Sequence, residues 1–238
     1  MKNSTLFVLI VVGIVGGAAS AMYYFWSQLT ASPNWYRSDR SSSRSVAEIQ
    51  KSSATVVQKI QAQAEAAPAK KSSNVQVALN SQELNDLLVT KMAEKNAAKP
   101  VLNSVKGMQT TVQNNTLKTG GMVDVNALQT SNLGAKEKQL LSELTEKIPV
   151  GDRHLYIGVE GKPKIQNGTL KFTPDTRIQV GKMSFTLTEA AARMGVPVEK
   201  LQEQLNLELK LGNVNVKDID FQNDTAVLKG AAEKTLQP

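Results

Sequence analysis

Residues 6–26 read LFVLIVVGIVGGAASAMYYFW, 21 residues without a charge, and such a run has to be withdrawn from water whatever the rest of the chain does. A bilayer core takes about 20 apolar residues as a helix, each rising about 1.5 Å, so the run is long enough to span one. Tyr23, Tyr24, Phe25 and Trp26 cluster at its end, as aromatic residues do at a membrane–water interface. The competing reading is a signal peptide, with Lys2 as the positive start, residues 6–15 as the apolar stretch and Ala19-Ser20-Ala21 as the cleavage motif. Cleavage there would leave four aromatic residues on a free N-terminus, which favours a retained anchor. Arg37, Arg40 and Arg44 follow the run, and counted alone they place the downstream domain in the cytoplasm. The signal-like order of the N-terminus favours export. The expectation is a single-pass, integral membrane protein with an extracytoplasmic soluble domain.

Beyond the anchor, a mean hydropathy of -0.25, with 41% hydrophobic and 21% charged residues, describes a chain able to build a core. There is no cysteine, which excludes a disulfide framework, thiolate chemistry and a Cys-based zinc site. The net charge of +7 is uneven: residues 27–73 hold Arg37, Arg40, Arg44, Lys51, Lys59, Lys70 and Lys71 against Asp39, Glu48 and Glu65. Anionic headgroups attract each nearby Lys or Arg by about 1 kcal/mol. That makes Arg37, Arg40, Arg44, Lys70 and Lys71 candidate membrane-surface residues; the alternative is charge that only keeps a linker soluble. The organisation expected is an anchor over 1–27, a linker over 28–73 and one domain over 74–238.

Within the linker, residues 38–45 (SDRSSSRS) have the composition of a flexible tether. Over 46–66, Val46, Ile49, Val56, Val57 and Ile60 share one helical face with Ser53 between them. This predicts an amphipathic helix that lies on the membrane, pairs with a second copy or packs on its own domain, and that Ala67-Pro68 ends.

From residue 74 the apolar period changes to two. Val75, Val77 and Leu79 predict a strand, and Asn80 to Glu83 a capping box. A helix follows with Leu84, Leu87, Leu88 and Met92 on one face. Residues 105–113 and 117–125 predict a hairpin about Asn114-Asn115, with Gly120-Gly121 as a bulge or bend in its second arm. Residues 134–148 have helical spacing. Leu155, Ile157 and Val159, then Leu170 and Phe172 beyond the Asn167-Gly168 turn, then Ile178, Val180 and Phe185 read as antiparallel arms. Leu205, Leu207, Leu209 and Leu211 alternate strictly, and a one-residue slip falls near Lys217. Together these predict an α+β class: an N-terminal transmembrane helix, a linker helix and a curved antiparallel sheet wrapped on a few helices.

No catalytic or metal-binding constellation emerges. His154 is the one histidine and sits at no triad or metal spacing. Asp218, Asp220 and Asp224 resemble half of a calcium loop, but Asn223 replaces its glycine and Lys229 its final glutamate. Residues 186–207 have the cadence of a helix-turn-helix. Its second helix carries Glu199, Lys200 and Glu203, a net negative charge that opposes approach to phosphates. A non-enzymatic chain with no cofactor, no metal and no nucleic-acid partner is expected.

A single span and charged linker, then VALNSQELNDLLVTKM, a hairpin and IQVGKMSFTLTEAAARMGVPVEKLQEQLNLELKLGNVNVKDIDFQNDTAVLKG follow one another in an order that resembles membrane-anchored, extracytoplasmic members of the tubular lipid-binding superfamily. The resemblance covers about residues 74–232 and carries no fixed binding residues. It implies a helix lying along a strongly curved sheet and enclosing an apolar groove for acyl chains. Leu84, Leu87, Leu88 and Met92 would face Leu155, Ile157, Val159, Ile178, Val180 and Phe185 across that groove; the plain alternative is an ordinary filled core. Two functions are open at this point: a membrane-tethered module for a lipid or other apolar ligand at the cell envelope, and a structural or assembly protein that binds another envelope protein.

Overall fold

The computed structural model describes residues 28, 31–37, 44, 46–66, 74–95, 99–131, 138, 142, 154–212, 214–222 and 224–232. The expected span at 6–26, the helix expected over 134–148 apart from Lys138 and Ser142, and Arg40, Lys70 and Lys71 lie outside them. Among the described residues no helix is long and apolar enough to cross a membrane.

In chain order the elements are α1 (Val46–Ala66), β1 (Asn74–Leu79), α2 (Ser81–Glu94), α3 (Lys99–Ser104), β2 (Val105–Gln113), β3 (Thr116–Asp124), α4 (Val125–Thr130), β4 (His154–Gly161), β5 (Lys164–Gln166), β6 (Thr169–Lys171), β7 (Arg177–Val180), β8 (Met183–Thr186), α5 (Leu187–Met194), α6 (Val198–Leu205), β9 (Leu207–Glu208), β10 (Lys210–Leu211), β11 (Val214–Gln222) and β12 (Thr225–Ala232). The strands form sheets in the orders β1-β12-β11-β10, β2-β3-β4-β7-β8 and β5-β6-β9, with every pairing antiparallel. The class is α+β, a strongly curved antiparallel arrangement with few helices.

Local chemistry accounts for the boundaries. Asn80 Oδ1 accepts from Glu83 N at 2.9 Å while Asn80 N donates to Glu83 Oε2 at 3.0 Å, the reciprocal box that starts α2. Asn114 and Asn115 both take positive φ, 51° and 57°, as a two-residue hairpin turn requires. The bulge in that hairpin lies on the first arm, not at Gly120-Gly121. Register slips between Lys106 and Gln109, and Gly107 supplies a φ of 65°. Gly120 serves a close approach instead, since a Cβ there would lie 2.3 Å from Tyr156 Oη. The slip near Lys217 is present, with Val216 opposite Gly230 and Asp218 opposite Lys229. The alternating leucines of 205–211 do not form one strand: Leu205 ends α6, Leu207 lies in β9, which pairs with β6, Leu211 lies in β10, which pairs with β11, and Leu209 falls between the two strands.

Helix α1 occupies the expected range and turns Ile49, Ser53, Val56, Ile60 and Ala64 inward. Val56, Ile60 and Ala64 belong to the same buried cluster as Leu84, Leu87 and Leu88 of α2 and Val75, Val77 and Leu79 of β1. Lys59 Nζ also meets Glu83 Oε1 at 2.7 Å. Burying a Val or Ile side chain stabilises by about 1.5–3 kcal/mol, enough to hold α1 on the domain as part of its core. The stretch expected as a linker thus shares one core with the domain it was expected to tether.

Candidate functional site

Register brings most of the expected groove residues together. Ile157 pairs with Val180 and Val180 with Met183; Val159 pairs with Ile178 and Ile178 with Phe185. Because neighbouring strands align these pairs and alternate residues share a face, β4, β7 and β8 present two adjacent apolar rows. The middle members, Ile178 and Val180, are buried, whereas Ile157, Val159, Met183 and Phe185 are partly buried at the margin of the core. Leu155 lies buried further along β4. From α2, Leu84, Leu87 and Leu88 are sealed in the same cluster and Met92 packs on it from a half-buried position. Arg193 of α5 stacks over Phe185 at 4.9 Å. The two rows carry no ionisable side chain; what they offer is apolar surface. Within this set the sealed residues are filled core and the marginal ones are available for contact.

The opposite face of the same sheet is built around Tyr156. Gly120 and Gly158 leave it room: a Cβ on Gly158 would lie 2.4 Å from Tyr156 Oη. Trp35 and Tyr36 close over the ring at centroid distances of 5.9 and 5.1 Å. Tyr156 is fully buried, burial pushes its phenol well above the usual range, and its Oη has no hydrogen-bond partner among the described residues. The aromatic pair belongs to residues 31–37, which with Gln28 mark a strap over this face. Lys182 N donates to Gln28 O at 2.7 Å, Tyr36 Oη donates to Gly107 O at 3.0 Å, and Arg37 N donates to Gln109 Oε1 at 3.1 Å while Gln109 Nε2 returns to Arg37 O.

Beyond the strap, Arg44 reaches α2. Its Nη1 and Nη2 meet Asp86 Oδ2 at 2.9 Å and Oδ1 at 2.6 Å. Gln82 Nε2 adds a bond to Oδ1 at 3.0 Å. Buried Asn85 beside Asp86 accepts from Thr110 Oγ1 at 3.0 Å, and Thr110 meets Thr119 at 2.9 Å. A cleft of about 250 Å³ opens here among Trp35, Arg44, Gln82, Asn85, Met108 and Thr110. It is smaller than the roughly 300–1,000 Å³ typical of ligand pockets and is lined half by polar groups, so it does not suit an acyl chain.

Of the expected membrane-surface residues, Arg37 is exposed and Arg44 is occupied by Asp86. His154 Nε2 is 3.7 Å from Asp124 Oδ2. Lys229 joins Asp218 at 3.3 Å and Asp220 at 3.6 Å, so the acidic strand that resembles a calcium loop is paired with a lysine. No cluster of potential metal ligands occurs among the described residues. Helices α5 and α6 follow the expected helix-turn-helix cadence, with Gly195 in a left-handed C-cap, and Glu199, Lys200 and Glu203 are exposed. Sequence reasoning did not assign roles to Gln28, Trp35, Tyr36, Tyr156 or Lys182. The usable signal was the Pro33-Asn34-Trp35-Tyr36 stretch, whose bulky aromatics do not belong in a solvated tether. No protein-family model, no curated protein and no solved structure matches this chain.

Proposed function

We propose that this chain is a single-span membrane protein of the cell envelope whose extracytoplasmic domain is a non-enzymatic module for a lipid or other apolar ligand, akin to the tubular lipid-binding superfamily. The observation that supports this reading most is the pair of cross-strand rows, Ile157–Val180–Met183 and Val159–Ile178–Phe185, sealed at the centre and open at the edges. A ligand's acyl segment would lie against the open margins, where each methylene taken from water contributes about 0.8 kcal/mol. Val180 and Met183 flank the turn that binds Gln28, so one row runs to the end of the sheet that holds Gln28.

The test is lipid content. Full-length protein is purified in detergent, exchanged extensively, and its organic extract analysed by mass spectrometry beside an Ile157→Thr, Val159→Thr variant. The replacement keeps the branched shape while making the margin polar. Stoichiometric lipid in the parent and several-fold less in the variant supports the module; equal traces in both contradict it. The second reading, an assembly protein that binds another envelope protein, is favoured by the sealed burial of Leu84, Leu87, Leu88, Leu155, Ile178 and Val180. It predicts equal traces.

A further inference from the structure

We infer that the β7–β8 turn, Gly181-Lys182-Met183, is the face of the domain that lies on the bilayer, with the Lys182 ammonium among anionic headgroups. This rests on the anchor in residues 6–26 and does not depend on whether the domain carries a lipid cargo.

Trp26 ends the apolar run and Gln28 accepts the Lys182 N–H at 2.7 Å. Two residues reach at most roughly 7 Å. A turn bonded to Gln28 therefore stays within about 10 Å of the aromatic end of the span, close to the headgroup layer.

The strap then sets the orientation. Gly181 N donates to Tyr156 O at 2.8 Å, Trp35 and Tyr36 lie on Tyr156, and Tyr36 Oη is tied to Gly107 O at 3.0 Å. These contacts run from β8 across the sheet to β2, so the domain does not swing freely about Gln28. The end of the sheet that holds the β7–β8 turn also holds the start of β2, the end of β3 and the start of β4.

Charge and polarity at that end fit an anionic bilayer. Lys182 is exposed, Met183 beside it is partly exposed, and Lys106 has 69% of its side chain in solvent. The titratable groups facing Lys106 are Asp124, 3.4 Å away, and His154, which also approaches Asp124. A lysine beside a half-buried methionine presents a cation for phosphate and an apolar tip for the acyl boundary.

The cysteine-free chain makes the test direct. Met183→Cys, which leaves Lys182 in place, and Lys162→Cys put single thiols at a partly exposed and an exposed position; Lys162 lies just past the end of β4, six residues beyond Tyr156 and about 20 Å further from the turn. Each full-length variant is labelled with a polarity-sensitive fluorophore. It is then placed in nanodiscs of phosphatidylcholine, with or without phosphatidylglycerol, that carry a headgroup-level spin-label quencher. The inference predicts that the label at 183 loses most of its emission, more so with phosphatidylglycerol, while the label at 162 keeps its emission. Equal quenching at the two positions, or no difference between the lipid compositions, would overturn it. A chain that elutes apart from the nanodiscs contradicts the anchor itself, which separates that failure from a wrongly assigned face.

Discussion

Arg44 grips both carboxylate oxygens of Asp86, at 2.9 and 2.6 Å, from a segment whose composition is that of a tether. The Asp86 side chain is 1% exposed and that of Arg44 is 38% exposed, so the pair is buried on the acid's side only. Removing the arginine strands a buried charge. Arg44→Met is expected to cost about 3 kcal/mol, the low end for breaking a buried pair, or roughly 6–12 °C in Tm for a chain of this size. Thermal unfolding of Arg44→Met beside the double variant Arg44→Met, Asp86→Leu checks it, since the double variant removes both charges and should recover much of the loss.

Tyr156 gives a prediction of the opposite sign. Its hydroxyl is buried and unpartnered among the described residues, so Tyr156→Phe should be neutral or slightly stabilising. Tyr156→Ala should cost about 3–5 kcal/mol, as large-to-small changes of buried aromatics do. Gly158→Ala would drive a methyl into the Tyr156 ring and is expected to lose about 1–3 kcal/mol. Denaturant unfolding of the three variants orders them.

Much of this fold was legible because its signals are local. Asn80 and Glu83 announce a capping box, Asn114-Asn115 and Asn167-Gly168 announce turns, and alternation places Leu155, Ile178 and Val180 on an inward face. The strap was not legible, because what holds it is non-local. Tyr36 finds Gly107 through its hydroxyl and Lys182 finds Gln28 through backbone groups, each across a long stretch of chain, and the backbone partner in each bond is a group that every residue carries. Gly120 misled for a related reason: a glycine that bends a strand and one that admits a distant tyrosine look the same in sequence. For the candidate site, strand periodicity correctly put Ile157, Val159 and Phe185 on one face. Register and three-dimensional burial were needed to separate them from sealed Ile178 and Val180.

Helix α1 offers a test of where the domain begins. Ile60→Ala and Val56→Ala remove side chains from the shared core; Ile60→Ala should cost about 2–4 kcal/mol and Val56→Ala somewhat less. A fragment starting at residue 74 should accordingly unfold at markedly lower temperature than one starting at residue 28. Equal melting temperatures would mean that α1 contributes nothing to the core.

Asp124 links stability to pH. It caps α4, accepting from Asn126 N and Ala127 N at 3.1 Å each. The Ala127 bond is the main cause holding its carboxyl below the ordinary range, and Lys106 and His154 act in the same direction. A carboxyl lowered in the folded state adds stability that is complete above the unfolded value, near pH 4, and is lost as pH falls through the lower folded value. Asp124→Ala should therefore lose about 1 kcal/mol at neutral pH, with the difference from the parent shrinking below pH 4. Unfolding free energies measured across that range report it.

The most direct measurement of ligand binding is photocrosslinking of the full-length chain in nanodiscs containing a phospholipid with a diazirine in its acyl chain, followed by peptide mapping. Adducts on residues 6–26 mark the anchor in either case. The account predicts a second set of adducts on the peptides that carry Ile157, Val159, Met183 and Phe185, reduced in the Ile157→Thr, Val159→Thr variant. Adducts confined to residues 6–26 would contradict lipid binding by the domain.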